Sequence, residues 1–308
     1  MLFRSRLEGG GTTAYGNPKV LPTNTFVHIN SRTATLEMYN AGQTVAGVDG
    51  YGKINLSSGG TYTNRFIINY TNTAAIDRFD GWIAESSAAR VLDIVKTGAG
   101  TLEFTTAIAN NTYKGDTIVE AGTLLMNGIH ISPSNGTEYI VRSGATLGGT
   151  GLIRALGGAT VDDGGILAPG ASAGTLTLDT DLTLAPTSVL AYELDGTDTT
   201  VGAGVNDLVD SVNNLTLDGI LEVTALGSFA GASLGDAWTL IRYDGTLTDN
   251  GLSVSAGSQA LLSGGKSFEV DTTVDSEIRL TVIPEPGSLG MILLGFGLAG
   301  WRRFRRLR

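Results

Sequence analysis

Residues 94–128 read IVKTGAGTLEFTTAIANNTYKGDTIVEAGTLLMNG and hold the triplet Gly-Thr-Leu twice, as Gly100-Thr101-Leu102 and as Gly122-Thr123-Leu124. Ala145-Thr146-Leu147 and Gly165-Ile166-Leu167 vary the same theme, so the leucines follow one another at steps of 22, 23 and 20 residues. Leu176 in AGTLTLD and Leu221 in DGILEV lie 45 apart, which reads as two further steps. Such a period is too short for helix-pair repeats and fits one coil of a solenoid built from short strands. Within a step the apolar residues alternate, as in Leu176 and Leu178, Leu182 and Leu184, then Leu190, Tyr192 and Leu194. Alternation broken by Asp, Gly, Asn or Pro marks strands with one buried face. The expected fold is all-β: a right-handed parallel β-helix of 20–23 residues per coil, followed by one short C-terminal hydrophobic helix.

Composition agrees with this pattern. Among 308 residues there are 44 glycines, and only 16% of the chain is charged, against about 25% in an ordinary soluble domain. The net charge is −10, and without the five terminal arginines 15 basic residues face 30 acidic ones. Such a body does not suit nucleic acid, whose binding requires a Lys/Arg surface to displace phosphate counterions. The chain has no cysteine, which excludes disulfides, thiol nucleophiles and thiolate metal sites.

The quoted stretch resembles the autotransporter-associated β-strand repeat. That pattern has a Lys-Thr-Gly-Ala-Gly-Thr-Leu opening, here from Lys96, an Asn-Thr-Tyr-x-Gly turn, here from Asn111, and a closing Ala-Gly-Thr-Leu, here from Ala121. Residues 144–184, with the Leu-Ala-Pro-Gly turn at Leu167 to Gly170, are similar to the segment that follows such repeats. Residues 41–63 read as an earlier, degenerate coil, and 226–282 as last coils plus a cap. The expected organisation is degenerate coils over 1–90, the repeat-bearing β-helix and cap over 91–283, and a sorting segment over 284–308.

That last segment begins Pro284-Glu285-Pro286, continues through 13 uncharged residues from Leu289 to Trp301, and ends with Arg302, Arg303, Arg305, Arg306 and Arg308. As a helix the uncharged run spans about 20 Å, short of a hydrocarbon core of about 30 Å, a gap that snorkelling arginines and bilayer thinning can absorb. The positive-inside rule keeps the arginines cytoplasmic and places the acidic body outside. The order of parts resembles the PEP-CTERM sorting signal of Gram-negative bacteria. The resemblance implies a membrane processing enzyme, exosortase, as partner, a transient inner-membrane intermediate, removal of the tail near Pro-Glu-Pro, and a final place at the cell surface or outside the cell. The first residues, MLFRSRLEGGG, lack the apolar stretch of a secretory signal, so the start is expected to be truncated.

Several pattern matches suggest chemistry. Gly170 to Gly174, GASAG, fits the nucleophile elbow with Ser172, but both histidines, His28 and His130, precede it and a strand pattern follows. Gly295 to Gly300, GFGLAG, fits a dinucleotide fingerprint but lacks the βαβ context and the downstream acid. The acidic clusters Asp162-Asp163 and Asp207 with Asp210 raise the alternative of a β-helix polysaccharide lyase or hydrolase. No basic residue accompanies them at coil spacing in this reading, and each is expected to be a solvated turn residue. His28 and His130 are expected at the surface or at strand edges. The resulting expectation is a non-catalytic surface or matrix protein with no cofactor, calcium bridging to anionic glycans being the alternative. Its expected partners are exosortase and extracellular polysaccharide.

Overall fold

The computed structural model describes residues 3–7, 12–16, 21–39, 42–58, 63–86, 89–105 and 110–285. The chain winds as a parallel β-helix with three faces. One face is an eleven-stranded sheet running from Phe3–Leu7 to Ser253–Val254, and the next is a nine-stranded sheet from Gln43–Val45 to Leu247–Asp249. The third face holds a four-stranded sheet that ends at Trp82–Glu85 and a seven-stranded sheet that begins at Ile129–Ile131. Asn111 joins the two: its backbone bridges to the 129–131 strand, while its side-chain oxygen accepts the Ile83 N–H at 2.9 Å. Pairing runs without a break past residue 90, since Val91–Thr97 pairs with Thr63–Asn69 on one side and Thr117–Val119 on the other.

The repeated leucines form an interior ladder. Leu102 lies beside Leu124, Leu124 beside Leu147, Leu147 beside Leu167, Leu167 beside Leu190, and Leu190 beside Leu221. All are buried, and each stacked side chain removes apolar area from water on two sides. Leu176 is not a rung of this ladder. It belongs to the strand Thr175–Leu178 on the third face, beside Val209, and the rung after Leu167 is Leu190, 23 residues on. The triplet cannot distinguish the faces because a strand entry looks alike on each. Gly122 shows why glycine precedes the rung: its φ is 68°, and a Cβ there would meet the Gly98 carbonyl oxygen at 2.4 Å.

Polar residues at the corners staple one coil to the next. Asp163 accepts the N–H and hydroxyl of Thr187 at 3.0 and 2.8 Å, Asp181 accepts the N–H of Asn214 at 3.0 Å, and Asn214 in turn accepts the N–H of Thr246 at 3.0 Å. Arg142 donates to Asp162 at 2.7 Å across 20 residues. A basic residue therefore does accompany this acidic pair at coil spacing, contrary to the sequence expectation.

The C-terminal end is closed by an antiparallel hairpin. Glu277–Pro284 pairs with Ala237–Tyr243 and with Lys266–Asp271. Phe229, Trp238 and Phe268 pack ring against ring beneath it, with centroids 5.2 to 6.1 Å apart. Among the described residues no helix is long and apolar enough to cross a membrane. The expected C-terminal helix, Pro286, the 295–300 glycines and Arg302, Arg303, Arg305, Arg306 and Arg308 lie outside the described residues.

Candidate functional site

Lys96 and Tyr113 of the repeat and His130 just after it face inward. Lys96, fully buried, donates its ammonium to the carbonyls of Thr97, Gly98 and Ala121 at 2.7 to 3.0 Å, and burial lowers its pKa to about 8. Tyr113 stacks on His130 with centroids 3.9 Å apart, and its hydroxyl meets Thr117 at 2.6 Å. His130 is fully buried, not at the surface or a strand edge. Its Nε2 reaches the Tyr113 carbonyl at 2.9 Å, which only accepts, so Nε2 carries the proton and Nδ1 accepts from the Tyr139 hydroxyl at 2.7 Å. Burial lowers its pKa to about 4. The strand Ile129–Ile131 thus reverses the obvious alternation, its two half-buried isoleucines facing away from the core. Gly100 donates to the Tyr70 carbonyl at 2.9 Å, and Thr101 and Thr123 pair outward of the ladder, beside Leu102 and Leu124.

Among the described residues, two hollows interrupt the outer surface of the eleven-stranded sheet. The first, about 480 Å³, is lined by Phe26, Asp49, Tyr70, Asn72, Asp77 and Arg78 among others. Asp77 stands next to Leu102 in the leucine ladder, 2% exposed, and accepts the Val48 N–H at 2.7 Å. Burial pushes its pKa up to about 7 against the pull of that hydrogen bond, with Asp49 adding to the rise. Its other oxygen is shielded and has no donor. Asp49 pairs with half-exposed His28 on the adjacent strand. Arg78 is engaged by Asp80 at 2.7 Å.

The second hollow, about 380 Å³, is lined by Thr123, Thr146, Ser172, Ala191, Glu193 and Asp207 among others. The small outward residues Gly148 and Ala168, adjacent in register, leave room for it. Asp207 is 1% exposed, not a solvated turn residue as its sequence context suggests. It accepts the N–H groups of Gly174 and Glu193 at 2.9 and 2.6 Å, and burial pushes its pKa up to about 7. It thereby clasps one end of the GASAG turn, whose other end is held by reciprocal bonds between Gly149 and Gly170 at 2.9 Å. One oxygen of Glu193 is shielded without a donor. Ser172 shares this hollow with two carboxylates but with no histidine, and a strand follows it. Asp210, beside Thr177 on the third face, does not line it. Among the described residues no three His, Asp or Glu side chains converge to hold a metal.

Comparison with known proteins matches two segments. The Passenger-associated-transport-repeat family matches residues 94–126, the coil that holds Lys96, Asn111 and Tyr113, and the PEP-CTERM protein-sorting motif matches residues 282–306. The chain carries a passenger-associated transport repeat and a PEP-CTERM sorting motif. Over 119 residues, 34% of the chain, it is 41% identical to the adhesin BmaC autotransporter of Brucella suis biovar 1 (strain 1330). Over 138 residues, 45% of the chain, it is 37% identical to an extracellular serine protease of Serratia marcescens. These matches span 3% and 11% of the two relatives' lengths. The match at the C-terminal end is thus to a protein-sorting motif, and the Brucella relative is by its name an adhesin autotransporter. Asp49, Asp77, Tyr70 and Glu193 were not singled out by sequence reasoning. Only Asp77 carries a signal there, as a charge that takes the place of a leucine once Ile76–Phe79 is set in register with Thr101–Phe104.

Proposed function

We propose that this is a non-catalytic protein of the cell surface or extracellular matrix, released from an inner-membrane intermediate by exosortase and associating with extracellular polysaccharide in adhesion or biofilm. The observation that carries the reading is where the sorting motif meets the fold. Pro284 ends the cap strand, and the Glu285 N–H donates to the Gly265 carbonyl at 2.8 Å. A cut beyond Glu285 leaves every described strand in the released product, so sorting and folding do not compete. Asp162 and Asp163, the acids that motivated a lyase or hydrolase reading, are engaged by Arg142 and Thr187 as inter-coil staples. The test is fractionation of the native host with mass spectrometry of the protein's C-terminus. The expected result is a mature end near Pro284 to Pro286 in the surface or medium fraction. An intact arginine tail in the inner membrane overturns the release step.

A further inference from the structure

We propose that the outer face of the eleven-stranded sheet is a groove for an extended glycan bearing free amino groups, with the Asp49 and Glu193 hollows as its two subsites. The inference rests on the surface-association reading and specifies its ligand. Both hollows lie on one sheet. The first occupies strands two to four of the eleven, from Thr25–Ile29 to Ile76–Phe79, and the second strands six to ten, from Gly122–Met126 to Ile220–Ala225. Their centres are thus about five strands apart, roughly 24 Å at a spacing of about 4.8 Å. A ligand running along the solenoid axis reaches both.

The charge of the lining selects the ligand. Among the described lining residues, Glu193, Asp49 with its His28 partner, and Asp77 and Asp207, which burial leaves only partly ionised near pH 7, stand against one cation, Arg78, whose guanidinium already bonds Asp80. Polyuronates are repelled from such a surface, and ammonium groups are drawn to it. Asp77 and Glu193 each keep a shielded oxygen without a donor, and an unmet buried acceptor favours a ligand that brings N–H or O–H groups. Phe26 and Tyr70, packed edge to face at 6.5 Å, give the first hollow an apolar wall for a sugar ring. Between the hollows stands the outward Thr101, in register with Thr123 and Thr146 of the second hollow. Strand backbone on a sheet face is paired laterally, so a ligand here meets side chains and cannot bind by adding a strand. That condition disfavours an extended peptide and suits a sugar chain. Two modest subsites on one rigid face give affinity that depends on ligand length.

The test is calorimetric titration of the full chain with glucosamine oligomers of increasing length, N-acetylated oligomers, uronate oligomers and oligolysine. The expected result is that glucosamine oligomers long enough to span both hollows bind about ten-fold or more tighter than a trisaccharide, while N-acetylated, uronate and oligolysine probes bind about as weakly as that trisaccharide or not at all. Asp49→Asn and Glu193→Gln should each reduce the long oligomer to the affinity of the short one without changing the melting transition. Equal affinity across lengths, uronate or oligolysine binding as tight as glucosamine, or indifference to both substitutions overturns the groove. Retention of host exopolysaccharide without any response to the glucosamine series overturns this inference alone. Failure to retain either also removes the polysaccharide part of the functional reading.

Discussion

His130 and Asp77 are buried polar groups stabilised by opposite means, and pH separates them. His130 is neutral, donating to the Tyr113 carbonyl and accepting from Tyr139. Tyr139→Phe leaves Nδ1 without a donor and should cost about 1–3 kcal/mol at pH 7, read by urea unfolding. A histidine whose pKa falls from 6.5 to about 4 on folding withdraws stability as pH drops through that window, because the unfolded chain takes up the proton first. Asp77 has the reverse sign. With its pKa raised from 3.8 to about 7, its neutral form stabilises the fold fully below 3.8, and that contribution is lost as pH rises through 7. Asp77→Asn keeps an acceptor for Val48 and cannot ionise. Its stability relative to wild type should grow between pH 4 and 7 and level off above, reaching about 4 kcal/mol at about 1.4 kcal/mol per pH unit. A difference that is flat with pH would show that Asp77 does not titrate in the fold as described.

Each strand contributes an inward rung and an outward polar residue, and the two kinds differ in cost. Leu147 is buried between Leu124 and Leu167, so Leu147→Ala should destabilise by about 2–5 kcal/mol through lost transfer energy and a cavity. Asp181→Ala, which removes an exposed staple to Asn214, should cost about 1 kcal/mol. Thermal melts of the two variants against wild type compare them directly. This difference also explains what the sequence revealed. The ladder was legible because its rungs from Leu102 to Leu221 are all leucine and the first four steps differ by at most three residues, only the last, from Leu190 to Leu221, being longer at 31. Leu176 was misplaced because Gly-Thr-Leu enters strands on more than one face. His130 was misread because Ile129 and Ile131 are the more apolar choice for the interior, and only the Tyr113 and Tyr139 partners make the inverse orientation favourable. Arg142 could have been assigned to Asp162 had the coil period been applied to charges as well as to leucines. The hollows were not legible, because each gathers residues from several coils whose lengths differ.

At the scale of the molecule, a solenoid transmits stability from neighbour to neighbour and is vulnerable at its ends. Here the last parallel strands are short, Leu247–Asp249 and Ser253–Val254, and the antiparallel hairpin 266–284 covers the edge of Ala237–Tyr243 on the third face. An uncovered edge strand presents free N–H and C=O groups to other chains. Phe268 anchors the hairpin against Phe229 and Trp238, with Trp238 also donating to the Asp195 carbonyl at 2.8 Å. Removing residues 256–285 from a chain that otherwise ends at Glu285 should therefore uncover that strand and expose Trp238 at once. The expected outcome is a red shift of tryptophan fluorescence together with self-association in size-exclusion chromatography with light scattering, neither of which the longer chain shows. Phe268→Ala should give the fluorescence shift without the self-association, because the hairpin's backbone pairing still covers the edge. If the shortened chain has the longer one's assembly state and emission, the hairpin does not act as the cap, and the solenoid must end on the short strands themselves.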